Sequence, residues 1–215
     1  MPDINLIDYE QVSKENLQRA INRKKLDLII KERLKTYNEG SIVVIQTPAE
    51  NYLETNISSV KSMVDNGYEG IYLSFQRPFK NISAIFEKNE INLEKIFVID
   101  CASVFSNSNQ EINQHNVNVD SSMDIDNIVE KICKSLGFLK SNKKFIFIDS
   151  LSTLALHKSY TETLRFSELM INKIRRNKSE DVTFIFNVAK ELDKKRYLQG
   201  INVYADEHIH LGLCT

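Results

Sequence analysis

The sequence predicts an α/β fold: a doubly wound, mostly parallel sheet with helices on both faces. Three observations predict it. Short apolar runs alternate along the chain with amphipathic segments at helical spacing. Two of those runs, Val43-Val44-Ile45 and Phe145-Ile146-Phe147-Ile148, are apolar at successive positions, the pattern of strands covered on both sides. The chain has 215 residues, 42% of them hydrophobic, which is enough for one such domain with a full core.

Residues 1–38 read as a mostly helical lead-in packed on the core, with Leu17, Ile21, Leu28 and Ile29 among its inward candidates. Residues 39–215 form the α/β domain. Its strand candidates are Ile42–Gln46, Ile71–Phe75, Ile96–Ile99, Phe145–Ile148, Val182–Val188 and His208–Leu213. Leu53, Ile57, Val60 and Val64 give the first helical stripe, stopped by Asn66-Gly67. Pro78 breaks the second strand, and residues 79–88 predict the next helix. Between Asp124 and Leu139, the residues Ile125, Ile128, Val129, Ile132, Leu136 and Leu139 form another stripe. Leu164, Ile171 and Ile174, widened by Phe166, Leu169 and Met170, form a third. The polar segment Ser103–Asp120 reads as an exposed, mobile loop.

Charge and cysteine content narrow the function. A net charge of -1, from 28 basic and 29 acidic residues, argues against a generic nucleic-acid binder, although a local basic patch is compatible with it. Cys101, Cys133 and Cys214 are widely spaced, without a CxxC pair, and read as thiols in a reducing compartment. Residues 1–10 lack a basic-then-apolar signal pattern, and no apolar run approaches the ~20 residues that cross a bilayer. A soluble, cytoplasmic protein that makes no membrane contact is the expectation. His208 and His210 share one face of a strand, but two ligands alone do not define a metal site. No nucleophile elbow or dinucleotide-binding glycine fingerprint is present.

Open parallel sheets bind ligands at the carboxyl ends of their strands, so four loops matter. Gln46-Thr47-Pro48-Ala49-Glu50-Asn51-Tyr52-Leu53 joins the first strand to its helix; Thr47 and Glu50 are expected to help that helix start. Gln76-Arg77 ends the second strand. Asp149-Ser150 ends the strand 145–148, where Asp149 either caps the following turn, bonds a neighbouring loop or, if any residue here does so, holds a metal. The loop Asn187–Gln199 after the fifth strand carries Lys190, Lys194, Lys195 and Arg196, a candidate patch for an acidic partner, a nucleotide or DNA, or else a solvated loop.

The segment Leu26-Asp27, then Glu39-Gly40-Ser41 and Ile42–Ile45, resembles the opening of the KaiC and RecA-like ATPase family. The same register runs without a gap to Gly70-Ile71-Tyr72-Leu73-Ser74-Phe75, close to that family's second strand. Phe145–Ile148 followed by Asp149-Ser150 resembles its Walker B strand, and Ala205-Asp206 with 208–213 its late strand. In this register Gln46 and Asn51 stand where the phosphate-loop glycines belong, Tyr52 falls on the lysine, and Leu53 on the magnesium-binding hydroxyl. Gln76 and Arg77 replace the paired acids that activate water.

The resemblance implies a KaiC/RecA-like domain, of archaeal type, whose catalytic residues are lost. The expectation is a non-hydrolysing protein, with no catalytic residue and no bound cofactor, acting as a regulatory or structural partner of another protein or of its own copies. A nucleotide-binding sensor or weak ATPase, using ATP and magnesium, is one alternative. A DNA-repair accessory resembling the recombinase paralogues is another. The sequence also stops at Thr215, without the basic C-terminal hairpin many relatives carry, which speaks against a ring ATPase acting across subunits.

Overall fold

The computed structural model describes residues 6–35, 40–103, 116–118, 124–176, 182–190 and 196–212. Of residues 6–13, 15, 19, 116–118, 174–176 and 196–198 it describes the backbone alone. The described residues form seven strands: β1 (Ile42–Thr47), β2 (Glu69–Ser74), β3 (Ile96–Asp100), β4 (Asn116–Asn118), β5 (Lys144–Asp149), β6 (Val182–Ala189) and β7 (Glu207–His210). They form one sheet in the order β4-β3-β2-β5-β6-β1-β7, and every pairing is parallel. The helices are α1 (Leu6–Lys35), α2 (Tyr52–Asp65), α3 (Phe79–Lys88), α4 (Ile125–Leu136), α5 (Leu151–His157), α6 (Tyr160–Arg176) and α7 (Arg196–Asn202).

The apolar alternation of each strand feeds two separate cores. Val43, Ile45, Tyr72, Val98 and Phe147 point to one face, where Ile57, Val60 and Met63 of α2 and Ile82 and Phe86 of α3 cover them. Ile42, Val44, Ile71, Leu73, Ile146 and Ile148 point to the other, under α4, α5 and α6. The doubly wound expectation is met. It follows from strands apolar on both faces, which only helices on both sides can keep dry.

Two glycines have specific tasks. Gly67 closes α2 with φ at 84°, a left-handed conformation that favours glycine. Gly70 lies under the Phe145 ring, where an added Cβ would come within 2.2 Å of Cε1.

Two local expectations are corrected, and one helix is additional to them. The 103–120 loop contains β4, which pairs with Val98–Asp100 and extends the sheet edge; residues 104–115 and 119–120 lie outside the described residues. Helix α5 follows β5 directly; its seven residues are too short a stretch for a periodicity signal. The last strand ends at His210, and its expected final residue, Leu213, lies outside the described residues.

The inward candidates of the lead-in are also corrected. Leu17, Ile21, Leu28 and Ile29 are 62%, 40%, 59% and 37% exposed. Helix α1 instead packs on α2 through Ile30 and Leu34, with Leu26 partly buried. The helix carries two apolar faces, and periodicity alone does not say which one meets the protein.

Candidate functional site

The loops after β1, β2, β5 and β6 meet at the carboxyl edge of the sheet around a cavity of about 520 Å³. Glu50, Tyr52 and Leu53 come from the first, Gln76 and Arg77 from the second, Ser150 from the third and Ala189 from the fourth. Leu156 and Tyr160 stand at the same cavity, 85% and 48% exposed, and give it an apolar rim.

The first loop is short. After Pro48, residues Ala49–Asn51 make a 3-10 turn that runs directly into α2. Asn51 donates its amide to the Pro48 carbonyl at 3.0 Å, and Pro48 has no amide to give. The expected help from Thr47 is not found: neither Pro48 nor Asn51 caps with its side chain, and the Thr47 hydroxyl turns into the sheet. Glu50 and Glu54 lie in the first turns, where they complement the positive end of the helix dipole.

Beneath the cavity a buried polar chain crosses four strands. Thr47 Oγ1 donates to Asn187 Oδ1 at 2.8 Å. Asn187 Nδ2 donates to Asn56 Oδ1 at 2.5 Å. Asn56 Nδ2 donates to the Tyr72 hydroxyl at 3.3 Å, and that hydroxyl donates to Asp149 Oδ2 at 2.5 Å. Every donor points the same way, toward the carboxylate, so each bond polarises the next. Tyr52 is tied into the chain as well, its hydroxyl donating to the Asn187 carbonyl at 2.9 Å.

Asp149 is wholly buried, and its peptide bond to Ser150 is cis. Burial raises its carboxyl above the ordinary carboxylate range. The Tyr72 hydrogen bond and the Arg77 charge pull the other way without cancelling that rise. Arg77 Nη1 lies 3.7 Å from Oδ2 and donates to Gln76 Oε1 at 2.7 Å. Oδ1 is buried with no hydrogen-bond partner among the described residues. Burial, followed by the Asp149 charge, pushes the Tyr72 phenol well above its usual value, so Tyr72 stays a proton donor. The turn after β5 is capped by Ser150, which accepts from Thr153 N at 3.0 Å. Asp149 itself reaches sideways to a neighbouring strand.

The alternative reading, a nucleotide sensor or weak ATPase, calls for a nucleoside triphosphate with magnesium, and these residues do not fit it. A phosphate needs a ring of free amides and a cation. Here the turn is tight, Pro48 lacks an amide, Glu50 lines the space, and the Tyr52 hydroxyl is held by a carbonyl. Magnesium needs hydroxyl and carboxylate oxygens reachable through water. Leu53 supplies none, and Asp149 is sealed under Tyr72.

The candidate basic patch is only partly described. Lys190 is exposed, Arg196 opens α7, and Lys194 and Lys195 lie outside the described residues. His208 and His210 stack at 6.1 Å on the sheet edge, and His210 Nδ1 bonds Gln46 Oε1 at 2.7 Å. Among the described residues no group of three or more His, Cys, Asp or Glu is placed to hold a metal. No helix among them is long and apolar enough to cross a membrane.

Sequence reasoning missed Asn56 and Asn187, the middle of the buried chain. Their signal was a polar residue inside an apolar pattern: Asn187 interrupts Phe184-Ile185-Phe186, and Asn56 adjoins Ile57 of the α2 stripe.

No protein-family profile matches the chain, and no curated protein does. Solved structures do. An uncharacterized protein from Pyrococcus horikoshii, determined in complex with an unknown peptide, is similar with a TM-score of 0.63 and 15% identity. The match covers 84% of this chain and 81% of that one. A KaiC-like protein from Pyrococcus horikoshii OT3 is similar with a TM-score of 0.52 and 16% identity, over 82% of this chain and 74% of that one. At these identities the likeness is one of fold: the chain has a doubly wound, parallel α/β architecture similar to that of the KaiC-like protein.

Proposed function

We propose that this protein is a non-hydrolysing KaiC/RecA-like domain that works as a regulatory or structural interaction partner. The observation that carries this reading is the buried chain from Thr47 to Asp149. It commits Oδ2 of the one surviving acid of the family pattern to Tyr72 and keeps that carboxylate out of solvent. Gln76 and Arg77 are likewise committed to each other, so no free base faces the cavity from β2.

The cavity then serves binding rather than turnover. Its apolar rim at Leu156 and Tyr160, with Glu50 and Arg77 of opposite charge inside, suits a short protein segment better than a polyphosphate. The Pyrococcus horikoshii neighbour of similar fold was determined in complex with an unknown peptide, which supports peptide binding as a kind of activity this fold can serve.

Titration calorimetry with ATP and magnesium, beside a turnover assay, tests the reading on the wild type and Asp149→Ala. No saturable heat and no turnover are expected from either. Magnesium-dependent turnover in the wild type that disappears in Asp149→Ala would overturn it. Saturable binding without turnover would make the protein a nucleotide sensor.

A further inference from the structure

Helix α1 is apolar on two opposite faces. Leu26, Ile30 and Leu34 look toward α2; Ile30 and Leu34 are 0% and 7% exposed. At about 100° per residue, Leu17, Ile21 and Leu28 fall within about 40° of one another and on the side away from Ile30. They are 62%, 40% and 59% exposed, a stripe about 17 Å long at 1.5 Å per residue.

A row of cations separates the two faces. Lys24 and Lys31 of α1, with Arg23 beside them and Lys61 of α2 opposite, line a cleft of about 350 Å³ between the helices. Asp27 is the acid in this cleft, and the Ser58 hydroxyl donates to it. Arg23 donates to Asn89 Oδ1 at 2.5 Å. Lys61 donates to the Glu90 carbonyl at 3.1 Å and lies 4.0 Å from Asp65. Among the described residues, neither Lys24 nor Lys31 has an ion-pair partner. From Ala20 to Lys35 there are six Lys or Arg and two Asp or Glu, an excess of four; the rest of the chain carries −5 against the total of −1. Helix α1 as a whole carries eight Lys or Arg against five Asp or Glu, a net basic element in a net acidic chain.

We propose that the cleft and the Leu17–Ile21–Leu28 stripe form one docking surface for an acidic amphipathic segment of a protein partner. Its carboxylates seat against Lys24 and Lys31, and its apolar side chains cover the stripe. Three features select that occupant. Charge complementarity selects acid. The concavity of the cleft selects side chains that project into it, where a flat bilayer surface would leave it unfilled. The helical spacing of the stripe selects an ordered apolar face. The proposal rests on reading the chain as an interaction protein, and it gives that reading a partner chemistry.

The test uses the full chain and a fluorescein-labelled synthetic helix with Glu and Leu on adjoining faces, followed by anisotropy, beside a scrambled peptide of equal composition. Saturable binding is expected for the patterned peptide. It should weaken at least tenfold in Lys24→Glu/Lys31→Glu and, separately, in Leu17→Ser/Leu28→Ser, with both variants melting near the wild type because all four residues lie away from the core. Equal binding of the scrambled peptide, or unchanged affinity in either variant, overturns the proposal, as does no binding. Phosphatidylcholine vesicles with and without phosphatidylserine run in parallel. Sedimentation with the anionic vesicles alone, lost in both variants and without peptide binding, would assign the surface to a membrane and overturn the proposal too. None of these outcomes touches the ATP titration, so the two readings fail separately.

Discussion

The Tyr72 hydroxyl lies 2.5 Å from Asp149 Oδ2, at the carboxyl end of the sheet. Tyr72 stands on β2 and Asp149 on β5, adjacent parallel strands in which Tyr72 pairs with Phe147 and Ser74 with Asp149. The phenol ring is fixed by stacking on Phe147 and an edge contact with Phe86, so the donor is aimed by packing.

Tyr72→Phe keeps that packing and deletes the donor. It should cost about 1.5–3 kcal/mol, the range for a hydrogen bond to a charged group, read from urea unfolding. A cost below that range would mean that Arg77, Asn56 and Tyr52 around Asp149 make up for the lost donor.

Replacing Asp149 separates charge from shape. Its native pKa is raised above the unfolded value near ~3.9. The native state therefore holds this proton more tightly, and the residue's contribution to stability falls as pH rises through the interval between the two values. Asp149→Asn keeps an acceptor for Tyr72 and removes the charge. It should gain on the wild type over the pH range above the unfolded value near ~3.9. An Asn variant that loses ground over that range would show that the Arg77 ion pair outweighs burial.

Asn187 is the junction of the buried chain. Asn187→Ala strips a partner from both Thr47 and Asn56 and should cost about 2–3 kcal/mol. In a double-mutant cycle with Asn56→Ala the two losses should not add, because they share one bond. Strict additivity by denaturant titration would dissolve the chain into independent contacts.

Gly70→Ala should lose about 1–3 kcal/mol through overpacking, because the new Cβ meets the rigid Phe145 ring at 2.2 Å. Phe145→Leu in the same background should recover part of that loss by thermal melting.

Glu69 supplies a pH signal away from the site. Burial raises its carboxyl. Lys95 at 2.9 Å and the amides of Ser141 and Lys140 more than offset that, leaving it below its usual value. Its contribution is therefore present above the unfolded value near ~4.3 and is lost as pH falls through the lower native one. Glu69→Gln should remove that portion of the acid unfolding slope.

Much of the fold was legible because its signals are local. The double-faced apolar strands and the stripe at Ile57 and Val60 require helices on both sides of a parallel sheet, and nothing tertiary overrode them. The absence of glycine from Gln46 to Leu53 was equally plain in the residue string, and with it the poverty of phosphate donors. Where Asp149 points was not legible. Its partner Tyr72 is 77 residues away inside the strand pattern Ile71–Phe75, yet the pairing of β2 with β5 brings its hydroxyl onto the carboxylate. Asn56 and Asn187, 131 residues apart, likewise meet only once α2 crosses β6. For α1, periodicity reported apolar residues on two faces, and only the packing of α2 decided that Ile30 is buried and Leu17 left in water. The sequence determines which surfaces need covering; tertiary contact decides what covers them, because the free energy lies in area removed from water and in long-range polar partners that no local pattern records.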